Sequence, residues 1–132
     1  MSDINKPILR DTKKEIIPEF TLHKKYLDQI KSGLKIAEGR INSGAFKNVQ
    51  PDSKIKFFDG KNPQSYVICK IISVRKYSTF RNMLVDLGIN NMLPGISDID
   101  KAVKIYDDIP GYRERCRMHG CLGLEIQVIE QK

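Results

Sequence analysis

Cysteine is scarce in this sequence: Cys69, Cys116 and Cys121 are the whole supply in 132 residues. An odd, sparse set excludes a disulfide framework and fits reduced thiols in a cytoplasmic setting, with the nucleus as the alternative compartment. No apolar run approaches the roughly 20 residues needed to span a bilayer, so no membrane association is expected. The opening "MSDINKPILRDTKKEIIPEF" has no apolar core behind a basic end, which argues against a secretory signal. There is no Gly-rich phosphate loop, no Ser-His-Asp order and no paired-His metal motif, so nucleotide-hydrolysing and dinucleotide-dependent chemistry find no support and the expected cofactor is none. Internal repeats and low-complexity tracts are missing as well.

What is present is positive charge. The formal net charge is +7, and residues 24 to 81 hold thirteen Lys or Arg against four Asp or Glu, a balance of +9. The first two thirds of the chain therefore carry the positive field. Its natural partner is a polyanion, RNA or a nucleotide-like ligand first and DNA second. Basicity alone also serves solubility. The length suits one domain with a real core, and the oligomeric state has no signature.

Periodicity divides the chain into elements. Residues 1 to 15 are polar without a sustained period and are expected to form a loose arm, with a single domain over 16 to 132. "EIIPEF" predicts a short strand confined by Pro18 to a sheet edge. In "TLHKKYLDQIKSG" the residues Leu22, Tyr26, Leu27 and Ile30 share one helical face, with Thr21 as the expected cap and Gly33 as the stop. "LKIAEGRI" then alternates and predicts a strand whose inward face is left open, because a one-residue slip exchanges the faces.

A loop or short helical turn, "NSGAFKNVQPDS", leads to a strand "KIKFFD". The turn-rich "GKNPQ" follows, and "YVICKIISVRKY" is expected to pair back as a hairpin. Phe80, Met83, Leu84 and Leu87 predict a helix capped by Ser78 or Thr79. Ile99, Ala102, Val103 and Tyr106 predict another. "NNMLPG" is expected to be a tight connection, "GYRERCRMHG" a short helix, and "CLGLEIQVIE" a closing strand. About five strands with inserted helices give an α+β domain built on a curled sheet or small barrel.

The charged stretch "IKSGLKIAEGR" sets Lys35, Glu38 and Arg40 where the first helix ends and a strand begins. The three can satisfy one another as a structural ion-pair cluster. They can equally form a site: Arg40 forks onto a phosphate or base edge, Lys35 supplies a positive charge, and Glu38 accepts from an exocyclic amine or acts as a base. "RKYSTFR" adds Arg75, Lys76, Tyr77 and Arg81, cations and a ring of the kind that holds phosphate and stacks bases. Phe80 belongs by its spacing to a helix core. "CRMHGC" brings Cys116, His119 and Cys121 within six residues, but a structural zinc site needs four ligands; buried thiols account for it better, and no metal is expected.

The pattern Gly33, Lys35, Glu38, Arg40 at the exit of an amphipathic helix resembles the signature of the ASCH family, one of the PUA-like β-barrels. The resemblance continues through "RKYSTFRNML", "LPG" at 93 to 95, "AVKIYDDIPGY" and "HGCLGLEI", spanning roughly residues 16 to 130. It implies a barrel of five or six strands flanked by helices, with a cleft between sheet and helices lined by the Lys35-Glu38-Arg40 strand. Tyr77 and Tyr112 are expected near that cleft. The family implies RNA binding and a role in RNA metabolism. Some small members are ribonucleases or an amidohydrolase acting on acetylated cytidine, which would make Lys35 and Glu38 catalytic candidates. The amidohydrolase pattern places a hydroxyl nucleophile shortly after the lysine, whereas this chain has Ile36, Ala37 and Glu38 there. A protein-protein adaptor is the third reading.

Overall fold

The computed structural model describes residues 16–132. The arm expected over residues 1 to 15 lies outside them. Five strands form one mixed sheet: β1 (Glu19–Thr21), β2 (Ala37–Ile41), β3 (Lys54–Asp59), β4 (Asn62–Tyr77) and β5 (Cys121–Gln131). Their spatial order is β1-β3-β4-β5-β2, with β1 parallel to β3 and every other pair antiparallel. Among the described residues five α-helices, α1 (Lys24–Lys31), α2 (Phe80–Leu87), α3 (Ile89–Met92), α4 (Ile99–Asp107) and α5 (Tyr112–His119), and one 3-10 turn, Gly44–Asn48, complete the α+β fold.

The sheet curls into a half-barrel. β4 is 16 residues long and its register with β5 shifts at Ile68/Cys69 and again at Ile71/Ser73, and such bulges bend a strand and increase its twist. The consequence is visible at the edges. β1 and β2 end the sheet on opposite sides, yet the Arg40 guanidinium on β2 donates to the Thr21 carbonyl on β1 at 3.1 Å.

Both sides of the bent sheet are covered. Inside the curl, α1 lays Leu27 and Ile30 against Ile55, Phe57, Val67, Leu122 and Leu124. On the other side α2 and α4 pack Phe80, Met83, Leu84, Ala102 and Tyr106 onto Ala37 and Ile41. This second layer approaches closely because Gly39 on β2 pairs with Gly123 on β5. A Cβ at Gly39 would lie 2.7 Å from Met83 Cε and 2.9 Å from Tyr106 Cε1.

Several local expectations needed correction. Thr21 does not cap α1; it belongs to β1, paired with Phe58, and His23 is the cap, its Nδ1 accepting from the Lys25 N–H at 3.1 Å. Regular pairing of β2 starts at Ala37, not Leu34, because the amides of Leu34 and Lys35 turn back to the Gln29 carbonyl at the end of α1. The turn after β3 shrinks to Gly60 and Lys61. Pro63 lies within β4, near the exposed end of the hairpin. "NNMLPG" holds the short helix α3 before Pro94 and Gly95 stop it. The remaining elements fall where their periodicity placed them, including the Thr79 cap, which accepts from the Asn82 N–H at 3.0 Å.

Candidate functional site

Gly33 ends α1 with a left-handed backbone, φ +84°, a conformation that glycine adopts without a side-chain clash. The chain reverses there and re-enters the sheet with Leu34 and Ile36 outward, 62% and 44% exposed, and Lys35 inward, 2% exposed. The apolar residues of the alternation are thus the outer ones. The charges are buried.

A buried ammonium survives only where its protons are taken up. Lys35 Nζ sits 3.0 Å from Glu38 Oε1, 2.8 Å from the Ala37 carbonyl and 2.6 Å from the Met92 carbonyl, so all three protons are committed. Glu38 Oε1 also accepts from the Gly39 N–H at 3.2 Å, and Oε2 accepts from Arg40 Nε at 3.0 Å. The Arg40 side chain is 12% exposed, and its guanidinium lies 5.1 Å from the Phe46 ring centroid and 5.2 Å from that of Phe57. Two cations around one carboxylate leave the trio with a net positive charge.

The ionisation states follow from this packing. Burial pushes the Glu38 carboxyl up, but Lys35 and Arg40 together outweigh it and hold the group below its ordinary value as a carboxylate. Burial pulls the Lys35 ammonium down, with Glu38 offsetting part of that.

Above the trio opens a cavity of about 830 Å³, a volume typical of small-molecule sites. Its floor is Lys35, Glu38, Gly39 and Arg40. Its walls carry Tyr26 from α1, Leu93, Ile105 and Tyr106 from the α3–α4 region, and Ile109 and Tyr112 beyond α4. Lys24, Asp59 and Lys61 also line it. Tyr106 and Tyr112 are held by Phe80, whose ring stacks on both at centroid distances of 5.1 and 6.1 Å. Burial raises all three tyrosine hydroxyls above their ordinary value, so they stay protonated as donors.

Lys35, Glu38, Arg40 and Tyr112 therefore share one cavity. The other predicted site residues lie elsewhere. Arg75 is bound to Asp86 and Glu125, each at 3.1 Å, and Tyr77 donates its hydroxyl to the same Asp86 rather than facing the cavity. Arg81 pairs with Asp100, and Lys76 is exposed away from the cavity walls. At "CRMHGC" the thiols are buried while His119 is exposed, and among the described residues no group of three His, Cys, Asp or Glu is arranged to hold a metal.

Sequence reasoning assigned Tyr26 and Tyr106 to apolar helix stripes and passed over Lys24, Asp59 and Lys61. The usable signal was a tyrosine within each stripe, since a buried phenol carries a hydroxyl that needs somewhere to point.

Comparison with known proteins agrees with the architecture. The ASCH domain profile matches residues 20–130. The crystal structure of hypothetical protein PH0355 is 33% identical, with a TM-score of 0.77 over 86% of this chain and 100% of that one. The solution structure of protein PF0455 from Pyrococcus furiosus is 28% identical, with a TM-score of 0.69 over 87% of this chain and 99% of that one. The crystal structure of ASCH from Zymomonas mobilis shares the fold at 12% identity, with a TM-score of 0.55 over 86% of this chain and 68% of its own. Among curated proteins none matches.

Proposed function

The chain belongs to the ASCH domain family, and from that premise we propose that it binds RNA by taking one nucleotide into the cavity above Lys35, Glu38 and Arg40. The observation that carries this reading is the cavity itself: aromatic and aliphatic walls over a polar floor of net positive charge, with three lysines, Lys24, Lys35 and Lys61, among its lining residues. Pockets that orient a planar, polar ligand combine those features. Tyr26 and Tyr112 offer rings to a base, Arg40 supplies the electropositive floor, and Lys24 and Lys61 face the backbone phosphates.

Within this reading Lys35 is a positioning residue. Its three protons are spent on Glu38 and two carbonyls, so it fixes the carboxylate and with it Arg40. The same saturation gives hydrolysis no support, since a lysine without a free lone pair is not a base and Glu38 is occupied on both oxygens. Lys24 exchanges its exposed Asp28 partner, 2.6 Å away, for a phosphate, whereas the stretch from Arg75 to Arg81 lies outside the cavity walls and contributes Lys76 at most.

The test is fluorescence anisotropy of a labelled single-stranded RNA across a salt series. Two phosphates met by Lys24 and Lys61 give a log–log slope of about −1.4, at roughly −0.7 per phosphate for a single strand. Lys61→Ala is expected to halve that slope. Tyr112→Ala is expected to weaken binding by about 1–3 kcal/mol with the slope unchanged, as for a lost stacking contact. Binding untouched by both variants would remove the cavity from the RNA site.

A further inference from the structure

Strand β3 alternates into the curl of the sheet. Ile55 and Phe57 are fully buried there, and the next position of the same period is Asp59, a carboxylate only 8% exposed that lines the cavity. Its Oδ1 accepts from the Lys61 N–H at 2.9 Å and closes the hairpin turn. Among the described residues no group donates to Oδ2. The turn needs one oxygen only, and asparagine would supply it equally well. A second, charged oxygen at a core-facing position is a cost that the fold alone does not explain.

The surroundings of Asp59 point to the group that meets this oxygen. The Leu22 N–H donates to the Phe58 carbonyl at 2.9 Å, which holds the start of α1, and with it Lys24, against the end of β3. Lys61 lies two residues beyond Asp59. The carboxylate thus shares the cavity rim with the two lysines that face phosphates, and a phosphate would be repelled by it. Toward the floor the preceding inward residue is Phe57, whose ring lies 5.2 Å from the Arg40 guanidinium. Between a base stacked over that floor and a phosphate on the lysines comes the sugar, joined to both.

Resting on the nucleotide-binding reading above, we propose that Asp59 accepts the ribose 2′-hydroxyl through Oδ2 and is the residue by which this cavity takes RNA in preference to DNA. The hydroxyl is a donor that deoxyribose lacks. An O–H donated to a carboxylate is a strong, charge-assisted bond, whereas deoxyribose leaves the same oxygen buried and unpaired beside a phosphate. Both effects act against DNA. Carboxylates read ribose in the same manner in dinucleotide sites.

The experiment measures the binding of labelled eight-nucleotide uridine, deoxyuridine and 2′-fluoro-deoxyuridine oligomers to the full chain, native and Asp59→Asn. Uracil has no amine, so these probes differ only in the sugar, and fluorine keeps an RNA-like pucker without donating a proton. The uridine oligomer is expected to bind at least tenfold tighter than the other two. Asp59→Asn keeps the oxygen that accepts from the Lys61 N–H. It should weaken uridine binding threefold or more and leave deoxyuridine binding unchanged or tighter, since a negative charge has left the phosphate rim. In the native protein the Asp59 carboxyl carbon resonance should shift with the uridine oligomer and stay put with the deoxyuridine one, which tests the residue without a substitution. Loss of affinity for all three probes alike would make Asp59 a merely structural residue and overturn the assignment. A 2′-fluoro oligomer that binds like uridine overturns it in favour of sugar pucker. Cytidine oligomers binding tighter than uridine ones in both sugar series, with the difference erased in Asp59→Asn, overturn it in favour of a base amine. Equal affinity of the native chain for uridine and deoxyuridine overturns the ribose contact while leaving nucleic-acid binding intact. Failure to bind any oligomer would overturn the RNA reading and this inference with it.

Discussion

Replacing Glu38 with Gln keeps the size of the side chain and removes the negative charge between two cations. Lys35 and Arg40 would then be left facing each other with side chains 1% and 12% exposed and no counter-charge. Removing one partner of a buried pair costs about 3–5 kcal/mol, and the amide oxygen that Gln retains places this case near about 3. For a domain of this size that corresponds to a fall in Tm of roughly 10 °C. The pH dependence gives a sharper check. Burial already draws Lys35 below its ordinary value, and Glu38 offsets part of this. In the variant that offset is lost, so folded Lys35 releases its proton still further below the unfolded value of roughly 10.4. Between those two points the unfolded chain binds more protons, and stability rises with pH. The deficit of the variant should therefore narrow as pH rises toward the unfolded lysine value of roughly 10.4. At the acid end the slope has the same sign for the native chain, because the Glu38 value is depressed too: its contribution is whole above the unfolded carboxyl value of roughly 4.3 and is lost as pH falls through the depressed folded value. The two proteins should converge there. Thermal melts followed by circular dichroism across pH 3 to 9.5 measure all of this. A variant as stable as the native chain at pH 7, with a parallel pH profile, would refute the view that Glu38 is the counter-charge of the buried cations.

Gly39→Ala should lower stability by about 1–3 kcal/mol, the usual cost of overpacking. Met83 Cε can swing away, but the Tyr106 ring, stacked on Phe80 at 5.1 Å, cannot, and a melt unchanged within 2 °C would contradict this. The three thiols should resist iodoacetamide at pH 8 in the native protein and all react after unfolding. Each is buried, burial pushes Cys69 up to about 12, and Cys116 and Cys121 are raised as well. Mass spectrometry showing an adduct on the folded chain would count against that.

The strands and helices were legible where local pattern decides them: Leu122, Leu124 and Ile126 alternate along β5, and Phe80, Met83, Leu84 and Leu87 mark the buried face of α2. The inward turn of Lys35 was not. It depends on the Met92 carbonyl, 57 residues away, and on a glycine-closed helix end that shifts the register of the next strand. A reader of the alternation alone would bury Leu34 and Ile36, which are in fact exposed. The parallel pairing of β1 with β3 is likewise a tertiary choice that three residues cannot announce. The trio Lys35, Glu38 and Arg40 was visible as a charge cluster. Its saturation was invisible, because only geometry shows how many protons an ammonium has left. Tyr26 and Tyr106 were visible as helix-stripe residues, and their part in the cavity emerged only when α1 and α4 were seen to flank the same floor.

The most direct test of the proposed site is a two-dimensional amide spectrum of isotope-labelled protein titrated with a short single-stranded RNA. The account predicts shifts concentrated at the backbone amides of Tyr26, Glu38, Gly39, Arg40, Lys61 and Tyr112, with the outer stretch from Arg75 to Arg81 largely still. Shifts confined to that outer stretch, with the cavity residues unmoved, would contradict it.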